Sequence, residues 1–318
     1  MAASIFRLTL SNSPFNSHAI VESPKLNPHS ISFRRSRRRI LCCAPPDSGA
    51  GGDGAGVSLN VGSYAIPHPN KVEKGGEDAF LVSSYNGGVI AVADGVSGWA
   101  EQNVNPALFS QELMANAFFF LEHEEVNFDP CILIKKAHAA ASSIGSATAI
   151  VAMLERSGIL KIANVGDCGV KVIRKGQMIF SSSPQEHYFD CPYQLSSEAV
   201  GQTYLDATVS RVEVQEGDTI VMGSDGLFDN VFDHEIVSVV AAQQDASNAA
   251  KALADLAQSH SLDPNFDSPY SQEARARGFD VPWWKKILQM KLTGGKLDDI
   301  TVIVGQVRLF VLVVSSNN

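Results

Sequence analysis

Four short acidic stretches lie far apart in this 318-residue chain, and each stands at the end of an apolar run or directly before one. They are Gly-Glu-Asp at 76–78, Ala-Asp-Gly at 93–95, Gly-Ser-Asp-Gly at 223–226 and Leu-Asp-Asp at 297–299. The flanking runs are Gly-Val-Ile-Ala-Val-Ala at 88–93, Thr-Ile-Val-Met-Gly-Ser at 219–224 and Ile-Thr-Val-Ile-Val at 300–304. Carboxylates at the ends of buried strands are costly unless a positive charge answers them, and the usual answer is a divalent cation. If the three runs share one sandwich, their carboxylates converge on one point. A donor set made only of oxygens suits a hard ion, Mg²⁺ or Mn²⁺, rather than zinc.

The overall charge of −9 hides an asymmetry. Residues 1–46 hold six Arg and Lys25 against the single acid Glu22, a balance of +6, which leaves −15 for the remainder. A Ser- and Arg-rich, acid-poor N-terminus without a long apolar segment predicts an organelle transit peptide over 1–43. Its Ser, Asn and Pro content and its poor amphipathicity favour the plastid. A basic arm for nucleic acid is the alternative, but no aromatic residues interleave with the Arg cluster, and the acidic remainder argues against such a partner. No apolar run approaches the ~20 residues a membrane helix needs. Cys131, Cys168 and Cys191 lack metal-ligand spacing and suit a reduced interior. Leu309 to Val314 reads as a last edge strand or a frayed tail.

Residues 44–57 are rich in Gly, Ala, Pro and Asp and predict a flexible linker, with a folded domain over 58–307 and a tail over 308–318. Strands are expected at 78–84, 88–93, 146–154, 159–165, 169–174, 177–182, 207–214, 219–223 and 300–307. Hairpin turns are expected at 86–88, 174–176 and 216–218. Helical periodicity covers 106–122, 130–143, 233–243 and 246–259. Strands and helices come in blocks, so the fold class is α+β: an antiparallel β-sandwich flanked by α-helices on both sides, in one domain. Two long excursions interrupt it, 183–206 and 262–298, the second with Trp283-Trp284; excursions of that length are often functional.

Six stretches in order resemble the metal-dependent type 2C Ser/Thr protein phosphatases: Gly-Gly-Glu-Asp-Ala-Phe (75–80), Val-Ala-Asp-Gly-Val-Ser-Gly-Trp (92–99), Gly-Ser-Ala-Thr-Ala (145–149), Ala-Asn-Val-Gly-Asp-Cys (163–168), Gly-Ser-Asp-Gly-Leu-Phe-Asp-Asn (223–230) and Asp-Asp-Ile-Thr (298–301). The likeness runs from about Val61 to Val307. The stretches at 66–69, 184–195 and 278–282 resemble a divergent plant subgroup. With the transit-like N-terminus, they imply a chloroplast enzyme of the stroma or thylakoid surface, acting on phosphothreonines of photosystem II core proteins. Monomer is the default.

The resemblance implies hydrolysis of a phosphomonoester by water at two Mg²⁺ or Mn²⁺ ions, with a weaker third. Asp94 would bridge both ions and, with Asp225, is the expected catalytic pair. Glu77 and the Gly95 carbonyl would hold one ion, Asp225 and Asp298 the other, and Asp167 the third. Asp78 and Asp299 are expected to orient waters or ligands. Read singly, the Asp94-Gly95 and Asp225-Gly226 pairs are also ordinary turn pairs, and Asp167 an ordinary turn residue. Asp229 and Asp233 read as a helix start. Two departures stand out. Where many members have a His to protonate the leaving oxygen, this chain has Val96, which carries no proton; a metal-bound water near Asp167, His68 or His187 are candidate substitutes. Where an Arg usually binds phosphate, it offers Lys71 or Lys74. Cys168 reads as a small buried hydrophobe with a redox switch as the alternative, and Trp99 as a neighbour of the substrate channel. A catalytically dead phosphoprotein-binding scaffold and a hydrolase of small phosphate esters are the competing functions.

Overall fold

The computed structural model describes residues 55–198, 201–281 and 291–311. The transit peptide expected over 1–43, most of the 44–57 linker, Trp283-Trp284 and the last residues of the tail lie outside them. The strands are β1 (Ala55–Ile66), β2 (Ala79–Ser83), β3 (Val89–Gly95), β4 (Ser146–Leu154), β5 (Ile159–Val165), β6 (Gly169–Arg174), β7 (Gln177–Ser181), β8 (Glu186–Tyr188), β9 (Cys191–Pro192), β10 (Leu195–Ser196), β11 (Thr208–Glu213), β12 (Thr219–Gly223) and β13 (Ile300–Val311). The helices are α1 (Pro106–Phe120), α2 (Pro130–Ala139), α3 (Asp225–Phe228), α4 (Asp233–Ala242), α5 (Ala246–Ser261) and α6 (Pro269–Ala276).

Two antiparallel sheets stack face to face. One has the order β1-β13-β12-β6-β7; the other has β11-β5-β4-β3-β2, with β10 paired to β4. Period-two patterning decides what each strand touches. On β3, Ile90 and Val92 point into the layer between the sheets, where they meet Ile150, Ile162, Val172, Ile220 and Met222. Val89, Ala91 and Ala93 point the other way, into a second layer with Phe109 and Leu113 of α1 and Leu133 of α2. A third layer packs Val221, Val302 and Val304 against Leu253 and the alanines of α5. The central strands are buried on both faces, which is why they read as continuous apolar runs rather than as alternating ones. The expected helix-flanked α+β sandwich is the observed architecture.

Three expectations are corrected. The domain does not start at 58 and end at 307: β1 begins at Ala55 and pairs over all twelve residues with β13, out to Val311. Leu309 heads no separate last strand: it continues β13, which pairs with β1 along its whole length and with β12 as far as Gln306. The Glu216-Gly217-Asp218 turn closes no hairpin, since β11 and β12 belong to different sheets and the chain crosses between them there. The other two turn signals do join paired neighbours, β2 to β3 and β6 to β7. Helix α6 lies in the 262–298 excursion, where no helix is expected from the sequence.

Candidate ion and phosphate site

Strand register gathers the acids. Ala79 opposes Ala93, Asp94 opposes Thr148, and Ala149 opposes Val165, so Asp78, Asp94 and Asp167 share one end of their sheet. In the other sheet Gly223 opposes both Val302 and Gly169, which puts Asp225 and the Asp298-Asp299 pair at the corresponding end. Asp167 sits where the chain passes from β5 to β6, from one sheet to the other. Two glycines let the backbones close up. A Cβ on Gly226 would stand 2.1 Å from the Asp299 carbonyl oxygen, and one on Gly95 would stand 2.7 Å from that of Glu77.

The cluster splits into a partnered corner and an unpartnered centre. In the corner, Asp299 is 2% exposed and accepts from the His68 N–H (2.7 Å), the Glu77 N–H (2.8 Å) and the Lys71 ammonium (3.3 Å). Lys71 Nζ also donates to Glu77 Oε2 at 2.6 Å and to Ser97 Oγ at 2.9 Å. Burial alone would lower the Lys71 pKa, but Glu77 and Asp299 outweigh it and hold the ammonium charged. Lys71 is thus the lysine that reaches the site, and Lys74 is exposed.

The centre has no such answer. Both oxygens of Asp78, Oδ1 of Asp167 and Oδ1 of Asp225 are sealed from solvent without a hydrogen-bond partner. Burial, then the charge of Asp299, pushes Asp78 up to about 8; the Thr301 and Ser224 hydroxyls stand beside it outside bonding geometry. Asp94 is driven well above the usual carboxylate range by burial and by Asp78, Asp225, Asp298 and Asp167. Burial and Asp225 raise Asp298 to about 7. Asp225 goes the other way: burial acts to raise it, but the charge and hydrogen bond of Lys296 hold it below its ordinary value. Buried, mutually repelling and orphaned oxygens fit a divalent ion chemically. As the side chains stand, among the described residues no three acidic groups meet at ligating distances. Instead, two ammonium groups take up part of the charge: Lys71 in the corner, and Lys296, 2.6 Å from Asp225 Oδ2.

Beside Asp225 a cleft of about 190 Å³ opens between the two excursions, lined by Asp167, Phe189, Asp229, Tyr270 and Lys296 among others. Phe189 packs on Tyr270 and on Phe279 at 5.3 and 5.2 Å, joining the excursions into one wall. Asp229 is no plain helix start. Its Oδ2 lies 3.0 Å from Lys296 Nζ, and burial followed by Asp225 sets its pKa near 7. A spacing of four from Asp225 puts both carboxylates on one side of a helical turn, and that signal could have found it. Asp233 does open α4 as expected, paired with Lys171. Asp190 and Lys296 had no local sequence signal.

The remaining candidates are placed as follows. The His68 ring accepts from the Asn70 N–H at 3.0 Å, and His187 packs on Tyr193 and bonds Gln202. Trp99 donates to Ser146 Oγ at 2.6 Å, and Ser146 in turn reaches Gln194, so this indole braces the first excursion against β4. Cys168 is buried, with its Sγ 3.1 Å from Thr148 Oγ1; burial, then Asp94 and Asp167, pushes its thiol well up, which favours the protonated hydrophobe over a reactive thiolate.

No family model matches the chain. It is 63% identical over 303 residues to the Arabidopsis thaliana protein "Probable protein phosphatase 2C 26", covering 91% of this chain and 99% of that one. It is 67% identical over 282 residues to "Probable protein phosphatase 2C 1" of Oryza sativa subsp. japonica, covering 89% and 82%. The X-ray structure of the photosystem II phosphatase PBCP superposes with a TM-score of 0.77 at 67% identity, over 79% of this chain and 99% of that one. The catalytic domain of the Ser/Thr phosphatase PstP, solved with two manganese ions, shares the fold at 18% identity and a TM-score of 0.53, over 79% and 99%. Identity at this level along nearly the whole of a relative, on the same sandwich, assigns the family: the chain belongs to the protein phosphatase 2C family of metal-dependent Ser/Thr phosphatases.

Proposed function

We propose that this chain removes phosphate from phosphothreonine and phosphoserine of photosystem II core proteins in the chloroplast, using water activated at two Mg²⁺ or Mn²⁺ ions. The observation that carries the chemistry is the set of sealed, unpartnered oxygens on Asp78, Asp167 and Asp225 around the raised carboxyl of Asp94. In a dead scaffold nothing would hold such repulsion in place, so it favours an ion-loaded enzyme. The substrate class is supported by the likeness to the photosystem II phosphatase. The chloroplast address is supported by that same likeness and by the basic, acid-poor N-terminus.

Glu77, Asp94, the Gly95 carbonyl, Asp225 and Asp298 would hold the two ions. When bound, the ions supply a nucleophilic water at neutral pH and neutralise charge on the phosphoryl group. The chain's own residues do the rest. Asp94, at the end of β3, stands among the acids of both sheets and feels the charge of each. Asp299 clamps the Glu77 backbone, so the first acidic stretch is held against the last. Lys71, drawn to Glu77 and Asp299, is a point charge at the site for a phosphate oxygen. Val96 gives the leaving oxygen no proton; one ring nitrogen of His68 is engaged by the Asn70 N–H and one of His187 by Gln202, and a water near Asp167 would supply that proton. Among the described residues no helix is long and apolar enough to cross a membrane, so a thylakoid substrate would be met from its surface.

The test is to add the protein with Mn²⁺ to isolated thylakoids carrying phosphorylated core and antenna proteins, then follow both by phosphothreonine immunoblot. Faster loss from the core subunits supports the substrate assignment; equal loss from both classes sinks it.

A further inference from the structure

The resemblance leads one to expect a weaker third ion near Asp167. In the structure, the space between Asp225 and Asp229 is taken by a side chain of the protein itself. Lys296 Nζ lies 2.6 Å from Asp225 Oδ2, 3.0 Å from Asp229 Oδ2 and 3.0 Å from Asp190 Oδ1, with Asp298 Oδ2 at 3.9 Å. The ammonium thus hydrogen-bonds Asp225 and pairs with two further carboxylates, Asp190 of the first excursion and Asp229 just after α3. The Tyr270 ring closes one side, its centroid 5.3 Å from the ammonium.

The placement is built in. The buried Asn230 side chain bonds the Lys296 backbone twice, Nδ2 to the carbonyl at 2.9 Å and Oδ1 from the N–H at 2.9 Å, and Nδ2 also holds the Gly226 carbonyl at 2.9 Å. The root of Lys296 is thereby fixed to α3, which begins at Asp225 and is followed directly by Asp229. Asp225, 8% exposed, divides its two oxygens: Oδ2 goes to Lys296, and Oδ1 is left without a partner, aimed into the cluster.

We propose that Lys296 is a tethered cation that permanently fills the position of a third divalent ion, so that this phosphatase works with two. The inference rests on the two-ion reading above. Asp229 and Asp190 then belong to the ammonium rather than to a metal, and Asp225 is shared between the ammonium and the ion pair. A fixed monocation here also ties the first excursion, through Asp190, to the acids of the site.

The experiment counts Mn²⁺ bound to the full chain by calorimetric titration and by elemental analysis after buffer exchange. It compares wild type, Lys296→Met, Lys296→Arg, and Lys296→Met combined with Asp229→Asn, all purified in Mn²⁺ so that no variant depends on folding without ions. The expected result is two ions in wild type and in Lys296→Arg, a third in Lys296→Met, and loss of that third in the double variant. Two ions in Lys296→Met, or a third in wild type or Lys296→Arg, overturns the inference and leaves the two-ion reading standing. Wild type that binds no Mn²⁺, or binds it unchanged after Asp94→Asn, overturns the two-ion reading and the inference with it.

Discussion

Asp299 and Asp78 are neighbours in one cluster, and both carry carboxylate oxygens hidden from water, yet they are treated in opposite ways. Asp299 accepts from two backbone N–H groups and an ammonium. Asp78 accepts from nothing, and burial raises it to about 8. A buried charge with three donors is a structural joint: it fastens the segment before β2 to the start of β13. A buried charge with none is a cost, tolerable only if a cation arrives. The same residue type is therefore fully answered at one position and unanswered at the other, and hydrogen-bond accounting separates them where residue type does not.

The sharpest way to break this contrast is to remove charge from the unpartnered centre. Asp94→Asn and Asp225→Asn should each lower phosphatase activity by about a thousandfold or more. Asp94→Asn should at the same time raise the melting temperature in EDTA, by about 2–4 °C for each kcal/mol of repulsion relieved. A fall in that temperature would mean the centre is not strained as described. In the partnered corner the sign reverses: Asp299→Ala should cost about 3 kcal/mol of stability, by leaving two backbone donors unanswered and taking one of the two carboxylates from Lys71, and Mn²⁺ should not restore it. Chemical denaturation with and without Mn²⁺ reads this directly.

The third effect is on pH. Without ions, Asp78 titrates at about 8 and Asp229 and Asp298 at about 7, all above the 3.8 of an ordinary aspartate. Between these limits the folded state holds protons that the unfolded chain has released. Stability of the ion-free protein should therefore be greatest near pH 4 and fall as pH rises through 7 to 8. Asp225, held low, acts in the opposite sense only below about pH 4. Melting curves in EDTA at pH 5.5 and 8 should differ, and Mn²⁺ should shrink the difference; a protein equally stable at both pH values would contradict the repulsion account. The smallest effects separate the two lysines: Lys71→Ala should raise KM for a phosphothreonine peptide about tenfold, while Lys74→Ala should leave it unchanged.

How much of this was legible depended on whether the signal was local. The central strands were plain because two buried faces make long apolar runs. Strand β1 was missed altogether, since no strand is expected before 78: its first residues, Ala55, Gly56 and Val57, merge with a glycine-rich stretch, and what makes them a strand is the partner β13, more than 250 positions away. The turn at Glu216-Gly217-Asp218 carries sound turn chemistry, but turn chemistry says nothing of which sheet the next strand joins. At the site, Glu77, Asp94, Asp167, Asp225 and Asp298 were all named from motifs. Asp190 was not, because its role exists only through Lys296, 106 positions later. Lys296 itself stands two residues before an acidic pair, a spacing too common to mark it.

The central claim is that the unpartnered carboxylates are an ion site that hydrolyses phosphothreonine. The most direct test is phosphate release from a phosphothreonine peptide as Mn²⁺ is titrated into the EDTA-treated full chain, beside Asp225→Asn. The account predicts activity that rises from zero, saturates with Mn²⁺ and is absent in the variant at every concentration. Release that persists in EDTA, or a folded wild type that stays inactive at saturating Mn²⁺ and Mg²⁺, would contradict it.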